Sequence, residues 1–161
     1  MCCLQMILKA EGMVAPPLER LFYGAVDCSA YRIESVEKGW RGAYHQELAE
    51  TLWMRHGLIA RPERRMSTLC IRVRLLMGWY VMASVHPEIR LHTENSPPRK
   101  GGHFVLVYGF ETTADGEVRF LVQNSAGFAS IGTQVGVRVL ERRMQQVFSG
   151  NAVAVLSPRH L

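Results

Sequence analysis

Two apolar segments separated by an Asp-Gly turn constrain the fold of this chain more than any other feature. The segments are residues 100–110 and 118–124, and Asp115-Gly116 lies between them. Asp-Gly between two apolar runs is the strongest hairpin signal that a short sequence can carry. The connection spans residues 111–117. The sequence therefore predicts an antiparallel hairpin that is closed by a loop rather than by a two-residue turn.

Two polar residues mark the open end of this hairpin. His103 begins the first strand and Asn124 ends the second, at equal distances from the turn. Residues equidistant from the turn lie side by side in an antiparallel pair, so we expect an imidazole beside a carboxamide. The amide oxygen can accept from one ring N–H and leave the other nitrogen for a thiol, as in a Cys-His-Asn site. Alternatively, His103 is satisfied by backbone groups and Asn124 merely ends a strand.

Composition and charge narrow the class of protein. The 161 residues are 48% hydrophobic, which fits a single domain with an ample core. The net charge is +5, but the Arg clusters at 61–65 and 142–143 form no basic stripe interleaved with aromatics, so we expect no nucleic-acid partner. No apolar run is long enough to span a bilayer, and Met1 is not followed by a signal peptide. We therefore expect a cytoplasmic chain without membrane insertion.

The cysteines argue against a metal site. The four cysteines are Cys2, Cys3, Cys28 and Cys70, and none stands in a C-x-x-C motif. We expect no metal and no cofactor, and in a cytosolic chain we expect free thiols. Cys70 falls within an apolar helical pattern and is predicted to lie in the core.

The order of predicted elements indicates an α+β fold rather than alternating βαβ units. Predicted helices cover residues 2–12, 16–22, 44–56, 67–77 and 141–148, and predicted strands besides the hairpin cover 58–61, 80–85, 137–139 and 152–156. Leu48, Leu52 and Trp53 share one helical face. Residues 24–40 are predicted to be irregular, residues 88–102 to form a loop, and residues 149–151 a turn.

Two segments of the sequence carry a family resemblance: Gly101-Gly102-His103-Phe104-Val105-Leu106-Val107 and Cys3-Leu4-Gln5-Met6-Ile7-Leu8. They resemble a C39-like cysteine peptidase domain, which has a papain-like fold. The first resembles the family's histidine motif and is the most specific segment, and the second resembles the helix that follows the family's nucleophile. Three further segments resemble later parts of the family's domain. They are Gly39-Trp40 with the helix at 45–56, the strand at 81–85, and residues 141–155. The resemblance covers nearly all of residues 1–161. It implies one domain, with N-terminal helices packed on a C-terminal antiparallel sheet.

The resemblance also implies an activity. Family members hydrolyse peptide bonds, some of them after a double Gly in the leader of an exported peptide, and some belong to transporters. His103 and Asn124 would be catalytic, and the partner would be a peptide or protein substrate. Asn124 stands where the family usually has Asp before Pro, and here Ser125 follows.

The chain departs from the family pattern at its start. The pattern Cys-Gly-x-x-Cys-Leu-x-Met-Ile/Val-Leu, aligned on Cys3, puts the nucleophile two positions before Met1 and the oxyanion Gln further upstream. One hypothesis is that the chain start is wrong, with a GTG valine codon taken as the initiator. Within the chain, Cys3 lies one turn, about 6 Å, beyond the missing position, and Cys2 is rotated from it by about 100°. Both are candidate nucleophiles, and core packing is the alternative.

Two further side chains near these motifs have non-catalytic interpretations. His45 is expected at the start of a helix, on the surface or at the rim of a cleft. Gln123 is expected to point to the sheet face opposite that of Asn124. Two other classes of protein stay open: an inactive C39-like domain that binds a peptide, and a structural or regulatory module that shares only the fold.

Overall fold

The computed structural model describes residues 1–35, 39–41, 44–87, 89, 102–124 and 137–160. Within these residues the chain has an α+β fold, as the sequence predicts. The helices are α1 Cys2–Ala10, α2 Leu18–Asp27, α3 His45–His56, α4 Thr68–Leu76, α5 Glu141–Val147 and a final 3-10 turn, Pro158–His160. The strands are β1 Arg32–Ser35, β2 Gly39–Arg41, β3 Ala60–Glu63, β4 Trp79–Val85, β5 His103–Thr112, β6 Val118–Asn124, β7 Val137–Leu140 and β8 Phe148–Leu156. The loop expected at 88–102 falls almost wholly outside the described residues, as does Ser125.

A six-stranded antiparallel sheet in the order β3-β8-β4-β5-β6-β7 divides the core into two layers. Successive residues of a strand point to opposite faces, so Met82 lies in one layer and Val81 in the other. Helices α1 and α3 supply the first layer through Leu4, Ile7, Leu8, Leu48 and Leu52. Helices α4 and α5 supply the second through Ile71, Met144 and Val147. N-terminal helices do pack on the sheet as expected, and the later helices α4 and α5 cover its other face.

A buried carboxylate anchors the C-terminal end of α1. The Glu11 side chain is 1% exposed, and its Oε1 accepts from the hydroxyl groups of Tyr80 at 2.6 Å and Ser157 at 2.8 Å. Arg159 Nε lies 3.3 Å from Glu11 Oε2, and the same guanidinium donates to the Ala10 carbonyl at 2.6 Å. A buried charge of this kind is tolerated only when it is paired and hydrogen-bonded. The contacts therefore hold α1 against β4 and the chain that follows β8.

The segment at 24–40 is more ordered than its sequence indicates. Helix α2 continues to Asp27, and strands β1 and β2 pair with each other. The prediction that residues 24–40 are irregular is therefore wrong. A three- or four-residue strand carries too little alternation to be recognised before its partner is known.

Two other local predictions are also wrong. The turn expected at 149–151 lies inside β8, where Gly150 has a φ of +82° and the register against β4 shifts. Glycine tolerates this conformation, so the strand bends there without ending. Cys70 is exposed rather than buried, because other residues occupy the core face of α4. Trp53 of α3, which the sequence places on one face with Leu48 and Leu52, is 60% exposed. Among the described residues, none of the helices has the length and apolar character needed to cross a lipid bilayer.

Removal of the Glu11 carboxylate is expected to loosen α1. Glu11→Ala leaves the Tyr80 and Ser157 hydroxyl groups without their acceptor, so the free energy of unfolding should fall by about 2 kcal/mol in urea denaturation. Burial, and then the bond to Glu11, raise the pKa of Tyr80 to about 12, and this pKa should fall in the variant. The matched control is Glu19→Ala on the exposed side of α2, which should cost under about 0.5 kcal/mol. Equal losses in both variants would contradict an anchoring role for Glu11.

Candidate functional site

The register between β5 and β6 places His103 and Asn124 on one face of the sheet. Asn124 pairs with Val105, and His103 pairs with Val85 of β4. The prediction that His103 and Asn124 lie directly opposite each other is therefore wrong by two residues, since Asn124 lies opposite Val105. Because side chains two positions apart share a face, His103 and Asn124 are diagonal neighbours.

A hydrogen bond joins the two side chains. His103 Nε2 lies 2.8 Å from Asn124 Oδ1, and Asn124 is 8% exposed. An amide oxygen can only accept, so Nε2 carries the proton and donates it. In the neutral ring this leaves the Nδ1 lone pair available to take a proton from an attacking group. The juxtaposition of imidazole and carboxamide predicted from the hairpin is thus present, by a diagonal contact instead of a direct one.

Helix α1 begins at the same end of the sheet, on the opposite face. The Cys3 thiol donates to the carbonyl oxygen of Phe104, with Sγ and O 3.6 Å apart. Phe104 packs in the layer formed by α1 and α3, whereas Val105 packs in the layer of α4 and α5, on the face that His103 shares. The positive end of the α1 dipole therefore lies beside the first residues of β5.

The two N-terminal cysteines are packed differently from a reactive thiol in an open cleft. Cys3 is 2% exposed and belongs to the core, and Cys2 is half-buried against the same core. None of the four cysteines forms a disulfide bond. A thiol inside the core, donating to a backbone carbonyl, is closed off from a substrate amide. Cys3 thus has the core-packing position that the sequence left open as its alternative.

His45 is closer to the site than sequence reasoning suggests. It is the first residue of α3, and its ring lies 5.1 Å from that of Phe104. Its Nε2 is buried and makes no hydrogen bond to any described residue. Burial, and secondarily the charge of Arg64, lower the pKa of His45. The ring therefore favours the neutral state and packs as an apolar surface against Phe104.

Tyr31 lies beside the first turn of α1, which the sequence does not indicate. Its ring packs 5.3 Å from that of Phe22. Burial raises the pKa of the Tyr31 phenol, and the thiols of Cys3 and Cys2 raise it further. A neutral hydroxyl group thus stands beside the first turn of α1. Tyr31 falls in a short connection with no pattern of its own, so only the packing of α2 brings it to this place.

A groove of about 400 Å³ runs between α1 and β5, away from the His103 end. Its walls are mostly apolar or aromatic, and Lys9 is the charged residue among them. Gln123 lines this groove, which confirms that it points to the face opposite that of Asn124. The groove is lined by Met6, Lys9, Ala10, Tyr80, Leu106, Tyr108 and Gln123.

Among the described residues there is no group of three His, Cys, Asp or Glu side chains that could hold a metal ion.

The lowered pKa of His45 predicts how the stability of the fold changes with pH. Its folded-state pKa lies below the ordinary value of about 6.5, so folding favours the neutral ring. The stability that it contributes is therefore complete above about pH 6.5 and is lost as the pH falls through the lower folded-state value. His45→Phe should lose less stability than the parent between pH 7 and pH 5 in urea denaturation. His160→Gln, at the exposed end of the chain, should follow the parent curve, and identical curves for all three proteins would contradict the prediction.

No protein-family model matches the chain, and no curated protein sequence matches it.

Proposed function

We propose that the chain is a cysteine peptidase-like domain with a papain-like fold, and that the protein hydrolyses amide bonds with a Cys-His-Asn site. The observation that carries the proposal is the 2.8 Å bond from His103 Nε2 to Asn124 Oδ1, at the sheet end where α1 begins. A carboxamide that fixes one imidazole nitrogen supports activation of a thiol, and because α1 begins on the opposite face of the sheet, that thiol must lie beyond the end of the sheet to reach the ring. The substrate in this proposal is a peptide or protein.

The chemistry assigns a separate role to each group. The bond to Asn124 holds the His103 ring and its tautomer, so that Nδ1 can accept the thiol proton. The resulting thiolate is stabilised by imidazolium and by the positive end of α1. The thiolate attacks the amide carbonyl, and His103 Nδ1 then returns the proton to the leaving amine. Water hydrolyses the acyl-enzyme with the same ring as base.

The proposal requires a thiol at the N-terminal end of α1. Cys2 and Cys3 are the candidates that the chain contains, and the family pattern puts a third position four residues before Cys3. Cys3 is the weaker of the two because its thiol is buried and donates to the Phe104 carbonyl. A reducing compartment suits cysteines that form no disulfide bond, so the proposed location is the cytoplasm, where the domain would associate with a transporter.

A second candidate function is binding without hydrolysis. The burial of Cys3 favours it, since a thiol inside the core is closed off from a substrate amide. In this alternative an inactive C39-like domain holds a peptide in the apolar groove between α1 and β5. Tyr80 and Tyr108 offer flat apolar faces there, and Lys9 can pair with a carboxylate.

The two candidates are separated by an activity-based thiol probe and a peptide library. Both are applied to this chain and to a variant with Cys-Gly added before Met1, so that the added Cys lies four residues before Cys3 as in the family pattern. In the peptidase, His103→Ala should reduce labelling of the attacking thiol and peptide turnover at least about 100-fold, since proton transfer is lost. Asn124→Ala should reduce them about 10-fold or more by releasing the ring.

Gln123→Ala is the matched control, because it is the adjacent residue on the opposite face of β6. It should leave probe labelling unchanged. Labelling that does not depend on His103 in either chain would overturn the peptidase proposal, and peptide binding without turnover would then favour the second candidate.

A further inference from the structure

A cleft of about 550 Å³ opens between α2, the end of α3 and the connection that follows α1. It is separate from the groove between α1 and β5, and neither His103 nor Asn124 is among the described residues that line it. Leu8 and Leu21 line the cleft and are almost completely buried, so part of its wall is the apolar core itself. Small-molecule sites in proteins have volumes of about 300–1,000 Å³, and this cleft is within that range.

Basic side chains converge on the cleft. Arg20, Arg55 and His56 line it, and none of the described residues that line it is acidic. Arg20 forms no ion pair with any described residue. Burial, and then the positive charge of Arg55, lower the pKa of His56. The cleft therefore contains positive charge that its own lining does not neutralise.

The guanidinium group of Arg55 is held in one orientation beside α2. Its Nη2 donates to Asp27 Oδ2 at 3.0 Å, and its Nε donates to Cys28 Sγ at 3.3 Å. A Cβ atom at Gly24 would lie 3.3 Å from Arg55 Cδ and 3.5 Å from Nη1, so the guanidinium fits against α2 because this position has no side chain. Nη1 donates to none of the described residues and is available to a ligand.

Helix α2 brings a second guanidinium group to the same side of the cleft. Arg20 and Gly24 are four residues apart in α2 and share one helical face. Because Arg55 lies over Gly24, Arg20 and Arg55 are neighbours on this face. Two guanidinium groups less the Asp27 carboxylate leave one net positive charge, which matches a monoanion. The planar forks of arginine are suited to a carboxylate.

The connection after α1 supplies apolar side chains to the cleft. Met13, Val14 and Pro16 line it, and Val14 is 92% exposed. A small inorganic anion would leave these side chains uncovered, whereas an apolar tail would cover them.

We infer that the cleft binds a monocarboxylic acid with an apolar tail, of the size of a medium-chain fatty acid. Arg20 and Arg55 bind the carboxylate, and His56 stands beside them. Leu8, Leu21 and the connection after α1 contact the tail. This site is independent of the proposed peptidase site, since it lies at the other end of α1.

Isothermal titration calorimetry with octanoate tests the inference. Octanoate should bind one to one with a dissociation constant below about 1 mM. Hexanoate should bind about 10-fold more weakly because it lacks two methylene groups. 1-Octanol, which has the same tail without the charge, should also bind at least about 10-fold more weakly. A dissociation constant above about 1 mM for octanoate, or equal binding of octanoate and 1-octanol, would overturn the inference.

Substitutions locate the bound carboxylate. Arg20→Gln removes a guanidinium group that pairs with no described residue, so the fold should persist while octanoate binding weakens about 10-fold or more. Gly24→Met keeps a good helix former in α2 but puts a side chain where the Arg55 guanidinium lies, and it should weaken binding similarly.

Lys9→Gln is the matched control, because it removes the same charge from the groove between α1 and β5. It should leave octanoate binding unchanged, and so should His103→Ala. Weaker binding in Lys9→Gln, or binding in Arg20→Gln as tight as in the parent, would overturn the inference.

Discussion

The register of β5 against β6 is the constraint on which the rest of the site depends. Near the turn, Phe110 pairs with Phe120, and a bulge between Val107 and Gly109 then shifts the pairing by one residue. Without that shift Asn124 would stand opposite Leu106, on the face away from His103. With it, Asn124 stands opposite Val105, on the face that His103 shares. One extra residue in β5 thus decides whether the imidazole and the carboxamide can meet.

The orientation of α1 is the second requirement, and it is set at both ends of the helix. At the C-terminal end the buried Glu11 carboxylate accepts from Tyr80 and Ser157 and pairs with Arg159. At the N-terminal end the Cys3 thiol donates to the Phe104 carbonyl. Between them Leu4, Ile7 and Leu8 are buried. The helix is therefore held along β5, and its positive end is directed towards the strand that begins with His103.

Charged pairs and buried neutral groups occur on both faces of the sheet. On the face of α1 and α3, burial lowers the pKa of His45 and raises that of Tyr31, and the buried Glu11 carboxylate is paired with Arg159. On the face of α4 and α5, arginines pair with Glu141 and Glu63 at the flanks of α4. The apolar outward side of α4 then lacks any charge of its own. Helix α4 is apolar on two sides, and only Ile71 and its neighbours face the core. The apolar pattern of the sequence therefore wrongly predicts that Cys70 is buried.

The sequence by itself determined the elements whose signals are local. The hairpin followed from the turn at Asp115-Gly116, α3 ended at Gly57 in the left-handed conformation, and Ser67 capped α4 by accepting from the Cys70 amide. It also brought His103 and Asn124 to one end of one sheet. Only the tertiary structure decided the bulge in β5, the bend of β8 at Gly150 and the exposure of Trp53. These features depend on strand pairing and helix packing between residues far apart in the chain, and no local pattern records them.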